Sequence, residues 1–152
     1  MKTLCIVPCG DRKIWDEEPN AGPTKAKYVY IGPYAKKCIE YAEKFCSSSC
    51  SSWCILSAKY GFLFPDDIVP EPYNVTFKKK DTNPITVDEL SKQAKEKGLI
   101  LYDKIIVLGG ENYSKVIKEV FCGKDIYEPL NGLKIGQRIN KLNDAIKRGV
   151  PL

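Results

Sequence analysis

The sequence contains no histidine. That removes Ser-His-Asp and Cys-His catalysis, the usual zinc hydrolase site, and zinc fingers with His ligands. Any proton transfer then falls to Asp, Glu, Lys, Tyr, Cys or water. Also missing is an apolar run of membrane-spanning length. The opening MKTLCIVPCG holds one Lys and a short apolar stretch before Pro8. That is too short for the apolar core of a signal peptide and reads as a first strand. The composition is 43% apolar and 28% charged, ordinary for a soluble globular protein that needs no metal or disulfide to fold.

Cysteine, by contrast, is plentiful and odd in number, at seven. With no leader, this pattern implies free thiols in a reducing cytosol. Three of the seven, Cys46, Cys50 and Cys54, stand four residues apart in FCSSSCSSWC. Equal spacing would converge three thiolates on one ion only along a continuous helix, and the serines around Cys50 oppose one. The spacing also misses the C-x3-C-x2-C pattern of radical enzymes by one residue. Buried or bland thiols are expected, with no metal and no cofactor.

The formal net charge is +5. A mild excess permits polyanion binding without requiring it. The 152 residues make one domain, 1–152. KTLCIVPC, SWCILSA and YDKIIVLGG read as strands. PYAKKCIEYAEKF carries Ala35, Cys38, Ile39, Ala42 and Phe45 at helical spacing, with Pro33 in the first turn. TVDELSKQAKEKG opens on a capping box, Thr86 with Glu89, and closes at Gly98. ENYSKVIKEVF is a helix with Tyr113, Val116, Ile117, Val120 and Phe121 inward. The last helix, LKIGQRINKLNDAIKRG, has Ile135, Ile139, Leu142 and Ile146 on one stripe. Residues 14–33 and the segment from Lys59 to Phe77, rich in proline, read as long loops. The alternation implies an α/β fold: a single-domain three-layer sandwich with a mainly parallel central sheet flanked by helices.

Such sheets bind ligands outside the carboxyl ends of their strands. Three segments meet there. PCGDRK supplies Cys9, Gly10, Asp11, Arg12 and Lys13: two cations beside exposed amides would hold a phosphate or carboxylate. Asp11 would serve as general base or orient Arg12, and Cys9 as nucleophile if a neighbouring cation lowers its pKa. SAKYG supplies Ser57, Lys59, Tyr60 and Gly61, with Lys59 an anion ligand. GGENY supplies Gly110 and Asn112 at a turn into a helix, where amides and helix dipole favour anions. Each is equally readable as a solvated turn. EPYNVTF adds Glu71 and Tyr73, the latter either a stacking platform for a base or a lid on the core. IGQR adds Gln137 and Arg138 in the first turns of a helix. GGENY is not G-x-G-x-x-G, and no Walker lysine is present.

Together PCGDRK, ILSAKYGFLFPDDIVPEPYNVTF, GGENY and PLNGLKIGQRINKLN resemble a small uncharacterised family of bacterial, archaeal and phage proteins, over almost the whole chain. The strand–KYG–Pro–PY segment also resembles the YaaA family, implicated in peroxide stress and DNA binding. More distantly it is similar to the uracil-DNA-glycosylase-like domain of archaeosine synthase and archaeal tRNA-guanine transglycosylases. The resemblance implies a compact α/β domain, a site built from Cys9–Lys13, Ser57–Gly61 and Glu71–Tyr73, and nucleobase or nucleic-acid chemistry.

The leading expectation is a cytosolic protein that acts on or binds a nucleotide or nucleic acid. If it is an enzyme, the chemistry is N-glycosidic or base-modifying. Asp11 or Glu71 would then activate water or stabilise a cationic sugar, Arg12, Lys59 and Arg138 would hold phosphate, and Tyr73 would stack on the base. The rivals are a non-catalytic DNA-binding protein and a thiol or metal redox protein.

Overall fold

The computed structural model describes residues 1–152. In chain order the elements are β1 (Thr3–Pro8), α1 (Ile14–Glu17), β2 (Thr24–Lys25), α2 (Ala26–Val29), α3 (Pro33–Phe45), β3 (Ser51–Ser57), β4 (Gly61–Leu63), β5 (Ile68–Val69), α4 (Val87–Glu96), β6 (Lys104–Val107), α5 (Glu111–Val120), β7 (Asp125–Tyr127) and α6 (Ile135–Arg148). Five strands form the central sheet in the order β4-β3-β1-β6-β7. Neighbours pair in parallel except β4, which folds back antiparallel on β3. This is the expected mainly parallel α/β sandwich.

Period-2 alternation sorts the core. Cys5 and Val7 of β1 and Trp53 and Ile55 of β3 face the layer of α3 and α6. Leu4, Ile6, Cys54 and Leu56 face the layer of α4 and α5. The central strands are buried on both faces, which is why they read as continuous apolar runs. Helix α4 starts as its capping box requires, with the Glu89 amide donating to Thr86 Oγ1 at 3.2 Å. No helix is long and apolar enough to cross a membrane.

Three regions depart from the sequence expectation. Residues 14–33 are not a long loop but α1, β2 and α2, too short to show a period. Trp15 pins α1 by donating its indole N–H to the Gly22 carbonyl at 3.0 Å, and β2 pairs antiparallel with β5. The segment after β3 turns at once into β4, and Asp125–Tyr127 adds an edge strand too short to read from sequence.

The three spaced cysteines do not meet. Cys46 lies in the α3/α6 layer, Cys54 in the α4/α5 layer across the sheet, and Cys50 is exposed at the turn before β3. A shared ion is therefore geometrically impossible for that triplet.

The order of strands places a switch point at the carboxyl end of β1. From β1 the chain crosses to β3 on one side, then returns through α4 to β6 on the other. Crevices form where successive connections leave in opposite directions.

Candidate functional site

A cleft of about 510 Å³ opens at this switch point. Its floor is the turn after β1, Pro8 to Arg12. One side is the start of α3, Gly32 to Ala35, and the other is the start of α5, Gly110 to Tyr113. Thr76, Phe77 and Lys78 form the lip, and Ile135 and Arg138 of α6 close the end. The volume suits a small ligand.

Both flanking helices aim their N-termini here. The N-caps of α3 and α5 are glycines, Gly32 and Gly110, with no side-chain cap. The first amides of each helix, at Tyr34–Ala35 and Glu111–Asn112, have no intrahelical acceptor, so they suit an anion. Arg138 completes the electropositive end. Its Nε donates to the Leu133 carbonyl at 2.8 Å, and its guanidinium sits 5.7 Å from the Tyr34 ring centre. A Cβ on Gly110 would come within 3.0 Å of Arg138 Nη1, and one on Gly109 within 2.8 Å of the Tyr113 ring. The glycine pair therefore makes room for both side chains. Tyr34 is fixed by donating its hydroxyl to the Leu108 carbonyl, and burial pushes its pKa up.

Tyr113 forms a wall. Its hydroxyl donates to the Cys9 carbonyl at 2.7 Å. Its single proton is thereby used, so the Cys9 thiol 3.2 Å away donates to it. Burial raises the Cys9 pKa further than Tyr113, the Ala58 amide and Lys13 lower it. Cys9 sits here as a donor that seats Tyr113, and no neighbouring cation lowers its pKa below the ordinary value. Phe77 packs edge-on against Tyr113 at 5.7 Å between ring centres.

Beneath the cleft lies a chain of buried hydroxyls. Ser57 Oγ accepts from the amides of Lys59 (3.2 Å) and Tyr60 (3.0 Å) and meets Tyr73 Oη at 2.8 Å. Tyr73 Oη meets Tyr30 Oη at 2.5 Å. Burial raises both phenol pKa values. Lys13 sits over the Tyr73 ring, 4.5 Å from its centre, and donates to the Asp11 carbonyl at 3.2 Å.

The residues predicted from sequence thus divide. Cys9, Gly10, Asp11, Arg12, Gly110, Asn112 and Arg138 line the cleft. Arg12 is at the rim, paired with Glu17 at 2.7 Å. Ser57 and Tyr73 belong to the hydroxyl chain, so Tyr73 is a lid on the core and not an open stacking platform. Tyr60 packs edge-on against Tyr73 at 5.4 Å. Gly61 serves the fold, since its φ is +78° and a Cβ there would overlap the Gln93 amide. That amide accepts from the Phe62 amide and donates to the Tyr60 carbonyl. Gln137 caps α6, accepting from the Lys134 amide at 2.9 Å. Lys59 and Glu71 face each other at 3.8 Å away from the cleft lining. The second carboxylate lining the cleft is Glu111. Sequence reasoning missed Tyr34, Phe77, Lys78 and Glu111 as lining residues and placed Ile135 inward, where it is 56% exposed beside the cleft. Tyr34 and Glu111 were findable, since each immediately follows the first residue or cap of a helix that starts at the switch point.

Three comparisons bear on the whole chain. The model of a family of unknown function (DUF6884) matches residues 4–144. The uncharacterised protein YfjM of Bacillus subtilis (strain 168) is 42% identical over 149 residues, which is 97% of either chain. The crystal structure of AF0587, a protein of unknown function, superposes on 99% of this chain with 14% identity and a TM-score of 0.43, and this chain spans 53% of that one. At that distance the last likeness contributes nothing to the reading of the site.

Proposed function

The chain belongs to the family of unknown function DUF6884, and from the geometry of its cleft we propose that it binds a nucleobase-containing phosphate ligand, a nucleotide or a nucleotide unit of a nucleic acid. The observation that carries this reading is the convergence of two uncapped helix N-termini and the Arg138 guanidinium in one cleft with three aromatic rings. The phosphate sits against the first amides of α5 and Arg138. The base lies along Phe77 and Tyr34, where an aromatic face offers sequence-tolerant stacking. The resemblance to YaaA-like and tRNA-modifying proteins points the same way, as analogy.

Chemistry on the ligand rests on Asp11. It is the carboxylate at the cleft floor, placed to take a proton from water or to face a developing sugar cation in N-glycosidic cleavage. Glu71 has no such position, and Glu111 takes its place as the second carboxylate.

Calorimetry with nucleoside 5′-monophosphates, the matching nucleosides and inorganic phosphate tests the binding. The nucleotide should bind more tightly than either half. Arg138→Ala should weaken it by about ten- to a hundredfold, the worth of a charged hydrogen bond. A nucleotide bound no better than phosphate, or indifferent to Arg138, sinks the reading. For the chemistry, Asp11→Asn should abolish base release from substrates in the same panel while the protein stays folded.

A non-catalytic DNA-binding role draws on one feature, the Lys78–Lys80 run beginning at the cleft lip. It requires DNA affinity that falls steeply with salt and is indifferent to Asp11.

A further inference from the structure

A second pocket, about 260 Å³, adjoins the main cleft and shares Asp11, Thr76 and Lys78 with it. Lys13, Asn74, Val75, Lys79 and Thr82 complete its lining. Its floor is anomalous. Lys13 is only 6% exposed, yet it forms none of the ion pairs of the molecule. Its sole hydrogen-bond acceptor is the Asp11 main-chain carbonyl. Buried lysines are almost always paired, because an uncompensated ammonium is costly to desolvate. The carboxylates nearest along the chain offset this only in part and from beyond ion-pair reach: Asp16 accepts the Lys13 main-chain amide at 2.8 Å, and Asp11 is exposed at the junction of the two pockets. Burial accordingly lowers the Lys13 pKa.

The wall opposite Lys13 is pre-organised. Thr82 Oγ1 accepts from the Thr76 amide at 3.1 Å and shares its one proton between the carbonyls of Lys79 at 2.6 Å and Thr76 at 3.0 Å. Asn83 turns the chain with a φ of 56°, in the left-handed region that Asn tolerates. The loop carrying Lys78 and Lys79 is thus folded around one hydroxyl. Three lysines face one small cavity.

We propose that this pocket takes a second anionic group of the same ligand, supplying the counter-charge that Lys13 lacks. This rests on the reading of the main cleft and sharpens it. A ligand spanning both pockets carries phosphates on two sides of one nucleoside. An internal nucleotide of a strand has this form, and it should be preferred over a free 5′-monophosphate.

Inorganic phosphate separates the two sites. Titrated into the labelled protein and followed by amide NMR, it should shift Lys13 and the Asn74–Thr82 amides as well as Glu111 and Asn112. Shifts confined to Glu111 and Asn112 overturn the second site and leave the main cleft standing. Shifts confined to Lys13 and Asn74–Thr82 remove the nucleotide reading of the main cleft and overturn the proposal of one ligand spanning both pockets. No shift at either overturns both. With ligands, a nucleoside 3′,5′-bisphosphate should bind at least about tenfold more tightly than the 5′-monophosphate. Lys13→Met should erase that advantage. Lys78→Gln/Lys79→Gln, surface changes that keep the buried floor, should shrink the advantage. Equal affinities for the two ligands in the wild-type protein overturn the proposal.

Discussion

The two faces of the central sheet are built from different materials. Against α4 and α5 the core is aliphatic and phenylalanine-rich, with Leu4, Ile6, Leu56, Phe62, Leu90, Ile105, Ile117 and Phe121 interlocked. Its one sulfur, Cys54, is inert, its pKa pushed up to about 12 by burial. Against α3, α6 and the loops, the core contains Tyr30, Tyr41, Tyr73, Trp15 and Trp53, and the hydroxyls of Tyr30 and Tyr73 are joined to Ser57 in a chain that ends under Lys13. The first face holds the sheet together and meets the cleft only through Phe77 and Tyr113, which pack against it. The second holds it together and also fixes the floor of the cleft, because a hydrogen bond specifies direction where an apolar contact specifies only volume. Sulfur makes the same point: Cys54 packs among aliphatic side chains, while Cys9, near the end of the same sheet, seats a tyrosine in the site.

If that division is sound, damage on the apolar face should cost stability and spare binding. Phe62→Ala, which empties a fully buried site packed 5.8 Å from Phe121, should destabilise by about 3–5 kcal/mol. Nucleotide affinity measured well below the melting temperature should not change. An affinity loss as large as that of Arg138→Ala would break the comparison.

On the polar face, Tyr73→Phe removes the hydroxyl between Tyr30 and Ser57. It should cost about 1–3 kcal/mol, the penalty of leaving buried polar partners unmatched, and should also weaken binding by loosening the cleft floor. Denaturant unfolding and calorimetry on the same variant read both effects. Stability lost without any change in affinity would mean that the hydroxyl chain serves the core alone.

The polar face should also be the alkaline weak point. The folded pKa values of Tyr30, Tyr34 and Tyr73 lie above the ordinary 10, and that of Tyr41 is pushed up to about 12. A group whose folded pKa is raised gives stability that is complete below its unfolded pKa and is lost as pH climbs toward the folded one. These four phenols should therefore stay protonated past pH 10 and ionise together with unfolding. Lys13 acts in the opposite sense. Its folded pKa is lowered, so its burial penalty is full below that value and is relieved as pH rises toward 10.5. Phenolate absorbance against pH, alongside circular dichroism, reads the tyrosines. Lys13→Met should remove a small rise in stability just below pH 10.5.

The smallest effect is expected at Cys50→Ala. The side chain is exposed at a turn, and stability should move by less than about 0.5 kcal/mol. A large loss there would revive a role for the spaced cysteines.

Much of this fold was legible because the strands and longer helices declare their burial. β1, β3 and β6 are two-sided apolar runs, and α3 and α4 carry both an apolar stripe and a start signal, Pro33 and Thr86. What was hidden was short or long-range. β4 and β7 gain their identity from a neighbour strand, and α1 and α2 hold a single turn each. The site was half legible for the same reason. Strand-end turns pointed to Cys9–Arg12 and Gly110–Asn112, since sheet topology alone brings them together. Tyr34 and Glu111 stand at helix starts that the sequence shows, whereas Phe77 enters through loop packing, which no local pattern encodes. Lys59 and Glu71 looked like site residues by type, but their strand-to-loop turn leads them away. Gly61 looked like a ligand turn and instead admits the Gln93 amide.

The claim at the centre is that the switch-point cleft holds the phosphate of a nucleotide between the start of α5 and Arg138. A crystal structure of the protein soaked with a nucleoside 3′,5′-bisphosphate tests it most directly. The expected density places one phosphate within hydrogen-bonding reach of the Glu111 or Asn112 amide and the Arg138 guanidinium, with the base along Phe77 or Tyr34. A bisphosphate bound at Lys59 and Glu71, or on surface lysines with the cleft empty, would contradict it.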